Sequence, residues 1–293
     1  MHLIHLLRLT DGTNYYWLTR AGLNDGFGIA FLLLAAFLFG ICFGSFLNVC
    51  IWRLPLGESI ATAPSHCPKC GKPIRWYDNI PLLSFLVLRG RCRNCKAPIS
   101  PRYFIVELLT GILFALLLLK VGAMRQPPFT LFVYCAMAML CVTTAWIDFE
   151  HRLIPDATTC PAMLFGVAAS AVFPSVWGVT NHLEAGLFAL GSGVVAGGAL
   201  ALFALAGCAV AKTEVLGWGD VKFVAAAGIL LGLPGAFFTV LTGSLLGMLY
   251  GIGCAVRNRK PIARTAVPLG PFLALGSLVW MFAGEKILRW YLG

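Results

Sequence analysis

Seven apolar stretches, at about 27–51, 103–121, 129–147, 157–173, 184–211, 236–256 and 268–288, decide what this chain can become. Each is near the roughly 20 residues needed to cross the hydrocarbon core of a bilayer. An eighth, 221–233, is closed by Pro234 and is long enough only for a tilted or recessed helix. The pattern predicts an all-α polytopic membrane protein with about eight transmembrane helices. Composition agrees, since only 12% of the 293 residues are charged against about 25% in soluble domains. The stretch 27–51 is too long for the apolar region of a signal peptide and lacks a small-residue cleavage site, so it reads as an uncleaved first span. Residues 1–26 form an N-terminal extension of mixed character without an assigned role.

The basic residues fix an orientation. Placing the 52–102 loop in the cytoplasm puts 16 of the 22 Lys and Arg on that side, nine of them in the loop itself. The others are Arg152, Lys212, Lys222, Arg257, Arg259, Lys260 and Arg264, and the opposite side keeps only Arg8, Arg20, Lys120, Arg125, Lys286 and Arg289. By the positive-inside rule both termini then face outward. The net charge of +10 is accounted for by topology and contact with anionic membrane lipids, and nucleic acid is not expected as a partner.

Residues 52–102 are the one sizeable polar segment, expected as a loop domain between the first helix, 27–51, and a transmembrane core at 103–293. The loop carries "CPKCGKPI" and "CRNCKAPIS", an imperfect repeat of Cys-x-x-Cys-x-x-Pro-Ile with Lys96 where the first copy has Gly71. Cys67, Cys70, Cys92 and Cys95 thus make two CxxC pairs with 21 residues between them, one beyond the roughly 15–20 usual for zinc. Four thiolates make a closed, structural Zn²⁺ site, whose binding would supply the folding free energy of a loop too small for a core. The alternatives are disulfides, disfavoured in a cytoplasmic loop, a redox pair, or incidental cysteines.

Only twelve acidic residues exist, so their positions carry weight, above all those of Glu107, Asp148 in "TAWIDFEHRLIPD" and Asp220 in "GWGD". A carboxyl at membrane depth is costly and is a functional candidate by default. Each also has a plain reading: Asp220 as a helix N-cap, Asp148 paired with Arg152 one turn on, Glu107 as a first-turn carboxylate. Asp148 and Asp220 nevertheless both fall at cytoplasmic helix ends and can share one depth. Gly217 and Gly219 flank Trp218 and allow backbone or an extended substrate to approach. Two carboxyls at one site can divide their protonation and activate water for peptide hydrolysis.

These segments resemble the type IV prepilin leader peptidase/N-methyltransferase family. The resemblance rests on "FGSFLNVCIWRLP" at 43–55, the four-cysteine loop with "IRWYDNIPLLSFLVLRGRC" at 74–92, "PISPRYFIVELLTG" at 98–111, "IDFEHRLIPD" at 147–156 and "GWGDVK" at 217–222, in that order. It implies an intramembrane aspartic protease of the bacterial inner membrane with Asp148 and Asp220 as the catalytic pair. It further implies cleavage of short basic leaders from type IV prepilins or type II secretion pseudopilins at the cytoplasmic face, and methylation of the new amino terminus by S-adenosylmethionine. No glycine-rich loop of a kind that cradles that methyl donor is visible in the sequence, which leaves its site open.

Helix dipoles predict Asp220, opening its helix, as the ionised base and Asp148, closing its helix, as the proton donor. Lys222 is expected to snorkel at the interface. Because the cytoplasmic side carries an excess of nine positive charges, a basic leader is expected to be held by its apolar helix, with local acids such as Asp78 and Glu150 reading it. The competing functional classes are a proton-coupled transporter that uses the carboxylates and a zinc-bearing assembly platform without chemistry.

Overall fold

Backbone amides in hydrocarbon find no water, so the apolar stretches must close their hydrogen bonds internally, as helices. The computed structural model describes residues 26–61, 65–123, 126–212, 216–258 and 267–292. Its helices are α1 Gly26–Arg53, α2 Leu83–Val87, α3 Pro101–Ala123, α4 Thr130–His151, α5 Asp156–Val172, α6 His182–Ala211, α7 Trp218–Asn258 and α8 Gly270–Leu292. Six of these are long and apolar enough to cross a membrane, and α5 is a shorter apolar helix. The 41-residue α7 is two helices joined at Gly232, where φ is 78° and ψ 172°. Pro234 follows, which supplies no amide hydrogen to continue the ladder. Counting both limbs of α7 and the short α5, each of the eight apolar stretches corresponds to a helix. No strand occurs among the described residues; two isolated bridges, His66 with Pro73 and Arg91 with Pro98, are the extended pairings found there.

The N-terminal extension, apart from Gly26, lies outside the described residues, as do Arg125, Glu214, Arg259, Lys260 and Arg264.

Two compact units divide the chain, Met1–Leu131 and Phe132–Gly293. In the first, α1 packs along α3 through glycines: a Cβ on Gly40 would lie 2.8 Å from the Gly111 Cα, and one on Gly44 2.7 Å from the Glu107 Cα. Small residues of this kind let membrane helices approach to backbone contact, where packing rather than hydrophobic burial drives association. In the second unit α7 is the centre, packed against α5, α6 and α8. Its first limb approaches α6 so closely that a Cβ on Gly228 would fall 2.7 Å from the Ser192 carbonyl. The start of α6 is fixed by Asn181, whose side chain accepts the Leu183 and Glu184 amides, as a helix N-cap does.

Candidate active site and metal cluster

The second unit brings Asp148, Asp220 and the start of α8 together. Asp148 lies in the last turn of α4 and is buried, 7% exposed. Its Oδ2 accepts the backbone N–H of Gly270 at 2.8 Å. Gly270 is the first residue of α8, so this carboxyl meets one of the unsatisfied amides that every helix N-terminus presents. The contact is tight: a Cβ on Gly270 would lie 2.9 Å from both Cβ and Oδ2 of Asp148. The Arg152 guanidinium also acts on Asp148 through its charge.

Asp220 sits in the first turn of α7. Its amide donates to the Gly217 carbonyl at 3.1 Å, and its carboxyl accepts the Gly217 N–H. That is the acid's half of a capping box, the carboxylate three residues into the helix reaching back to the cap amide. Asp220 is therefore not the N-cap itself; Gly217 occupies that place. The charges of Asp148 and Asp220 act on one another, so the two carboxyls share an electrostatic neighbourhood. Such a pair can hold one proton between them and perform general acid and base chemistry together.

The two motif glycines have separate reasons. A Cβ on Gly219 would lie 2.8 Å from the Ile154 Cβ, so its bareness lets the start of α7 reach the α4–α5 connection. A Cβ on Gly217 would meet only the Asp220 Oδ2, at 3.2 Å, so this glycine leaves the carboxyl uncrowded. Lys222, expected to snorkel, forms an ion pair with Asp156, Nζ to Oδ1 2.5 Å. Gly270 was invisible to the sequence reading. Its signal was "PLGP" before an apolar run, a helix start with Pro in the first turn whose amides need an acceptor.

In the first unit the four thiols Cys67, Cys70, Cys92 and Cys95 have their Sγ atoms all within 4.8 Å of one another. The Cys67 and Cys95 sulfurs are 3.8 Å apart, matching the roughly 3.8 Å edge of a tetrahedron built on Zn–S bonds of about 2.3 Å. The donor set fits a metal ion such as zinc. The two knuckles are structural copies. Cys67 N–H donates to the Lys72 carbonyl and Cys92 N–H to that of Ala97; Gly71 N–H returns to Cys67 and Lys96 N–H to Cys92. Lys96 takes the left-handed conformation of Gly71, φ 58° against 69°, so the uneven repeat conceals one backbone shape. Backbone N–H groups of Cys95 and Asn94 push the Cys92 thiol down to about 6.

Two of the acids singled out in the sequence, Asp78 and Glu107, are engaged within the first unit. Arg93 grips Asp78 with two nitrogens, Nε to Oδ2 at 2.8 Å and Nη2 to Oδ1 at 2.6 Å, and holds its carboxyl below the usual range. Asp78 thus ties residues 76–79 to the second knuckle. Glu107 lies beyond the first turn, because α3 begins at Pro101 rather than near Tyr103. Buried at 7% exposure, it accepts the Leu82 N–H at 2.8 Å. Leu82 has φ 60° and ψ −49°, with the Leu83 amide donating to the Pro81 carbonyl at 2.6 Å: a γ-turn, strained for a residue with a side chain. Glu107 fastens that turn to α3.

Residues 38–121 match the Bacterial Peptidase A24 N-terminal domain, and residues 134–252 match the Type IV leader peptidase family. The gap between these matches falls where the two compact units divide. The chain is 39% identical over 279 residues to a prepilin leader peptidase/N-methyltransferase of Myxococcus xanthus, covering 93% of this chain and 78% of that protein. A protein of the same name from Aeromonas hydrophila is 36% identical over 288 residues, covering 87% of this chain and 92% of its own. One from Pseudomonas aeruginosa is 32% identical over 293 residues, covering 90% and 94%. No solved structure matches the chain.

Proposed function

We propose that this chain, which belongs to the type IV leader peptidase family, cleaves the leader peptide from type IV prepilins or type II secretion pseudopilins and then methylates the new amino terminus. The observation that carries the proteolytic half is the pairing of Asp148 and Asp220, distant in sequence, within reach of each other's charge. The methylating half rests on the relatives' name. The proton-coupled transporter reading finds no support among these relatives.

In the proposed reaction one carboxylate takes a proton from water while the water oxygen attacks the scissile carbonyl. The other carboxyl gives its proton to the carbonyl oxygen. Collapse of the tetrahedral diol then expels the new amine, which is protonated by the first carboxyl. Asp148 is our choice for the ionised partner and Asp220 for the proton carrier, the reverse of the dipole expectation. The reversal has a physical cause: the expectation weighed each aspartate against its own helix only. Asp148 also faces the N-terminus of α8 and the Arg152 charge, which together outweigh the C-terminal end of α4.

We further propose a structural Zn²⁺ held by Cys67, Cys70, Cys92 and Cys95, which supplies loop folding and no step of hydrolysis. S-adenosylmethionine is the methyl source in this proposal. The zinc-binding loop domain is taken as 52–102 and the transmembrane peptidase core as 103–293. The 52–102 loop and the aspartates are placed on the cytoplasmic side of a bacterial inner membrane, with both termini periplasmic, on the strength of the basic residues. The prepilin's apolar helix docks in the bilayer and provides the binding energy.

Incubating the purified protein with a prepilin tests both halves. A shortened product that gains one methyl group when S-adenosylmethionine is added supports the reading; an uncut prepilin removes it.

A further inference from the structure

Several hydroxyls on the membrane helices of the second unit turn back on their own backbone. Thr143 donates to the Met139 carbonyl at 2.8 Å, Thr242 to that of Phe238 at 2.6 Å, and Ser277 to that of Leu273 at 3.0 Å. Thr144 does not. It is fully buried, 0% exposed, and its Oγ1 has no hydrogen-bond partner among the described residues. Two other threonines share that lack, Thr130 and Thr159, but both lie in the first turns of their helices. Thr144 is in the body of α4, with a complete turn of carbonyls behind it. A hydroxyl buried without a partner forfeits its hydration with nothing in return, so such a group calls for a partner.

The direction of that partner follows from the face Thr144 occupies. Cys141, Thr144 and Asp148 recur at the three- and four-residue spacing that lines one face of a helix. Cys141 is hydrogen-bonded to Ser277 and Asp148 to Gly270, both on α8, so Thr144 lies on the α8-facing side between two polar contacts. On α8 the residues between those contacts include the buried, apolar Leu273 and Ala274. The polar group one turn along the same face is Asp148 itself. Side chains at this spacing are neighbours on the helix surface; Thr144 Oγ1 makes no direct bond to Asp148, and one water between them would satisfy both. Asp148 has one oxygen committed to Gly270, Oδ2, which leaves Oδ1 to accept from that water.

We propose that Thr144 is a positioning residue for the aspartate pair, its hydroxyl holding a buried water that orients the Asp148 carboxyl from the membrane side. The Gly270 amide fixes one oxygen and the Thr144 water fixes the plane, so that Asp148 meets Asp220 in a single geometry. Such a water, polar on both sides, is part of a structure rather than a guest in it. The proposal rests on the assignment of Asp148 and Asp220 as the peptidase pair.

The test compares the wild-type protein with Thr144→Val, which keeps the shape and removes the hydroxyl, and Thr144→Ser, which keeps the hydroxyl. Steady-state cleavage of a prepilin is measured alongside the thermal unfolding midpoint. Loss of one orienting hydrogen bond should lower the Thr144→Val kcat by about tenfold, with KM and midpoint unchanged, while Thr144→Ser stays within about twofold of wild type. An unchanged kcat in Thr144→Val overturns the proposal. So does a Thr144→Ser as slow as Thr144→Val, or a loss that appears in KM or in the midpoint, since packing alone would produce those. Failure of the wild-type protein to cut at all would fall on the peptidase assignment instead.

Discussion

Gly270 and Asp148, 122 residues apart in sequence, are joined by a 2.8 Å hydrogen bond from a helix-opening amide to a buried carboxyl. A helix N-terminus offers amides that its own backbone cannot use, and here one is spent on an acid at membrane depth. The bond explains how the chain keeps Asp148 in place with no basic side chain at hydrogen-bonding distance among the described residues.

Gly270→Ala is the first consequence. Its Cβ would stand 2.9 Å from Asp148 Oδ2, so the carboxyl must move. Displacements near 1 Å cost about 10²-fold in enzymatic rate. The expected outcome is a loss of that order in prepilin cleavage by steady-state assay, with methylation of an already shortened pilin retained.

Infrared spectra decide the proton's place. With the charge on Asp148 and the proton on Asp220, the protonated carboxyl band should vanish in Asp220→Asn and persist in Asp148→Asn. The opposite pattern returns the assignment to that drawn from helix dipoles alone.

How much of this was legible in the sequence differs by residue. Asp148, Asp220 and the four cysteines stood out because an acid among apolar residues is costly and a doubled CxxC is unusual in composition. Gly270 could not be found that way, since its partner is remote and a glycine before a helix has many uses. Glu107 was placed in a first turn because its helix was started two residues late, at Tyr103; the true start at Pro101 puts it deeper, where it secures the Leu82 turn. Lys96 looked like a break in the repeat, because side-chain identity hides the shared left-handed backbone.

Replacing Cys67 or Cys95 with Ser should abolish stoichiometric zinc in the purified protein, measured by atomic emission. Both sulfurs lie on one tetrahedral edge, 3.8 Å long, and three thiolates bind far more weakly than four. Unfolding of the loop should follow as increased proteolysis within 52–102.

Glu107→Ala removes the acceptor of the Leu82 amide and should destabilise that turn by about 1–3 kcal/mol. Glu107→Gln keeps an acceptor oxygen and should be milder. Hydrogen exchange at the Leu82 amide reads the difference directly.

The measurement nearest to the central claim is the saturating cleavage rate of Asp148→Asn and Asp220→Asn on a prepilin, beside a circular dichroism spectrum of each. An amide keeps the shape of the carboxyl and cannot take up or release its proton, so both variants should retain helical content and lose at least about 10³-fold in kcat. A near-normal rate from either one would contradict an aspartate pair that shares the chemistry.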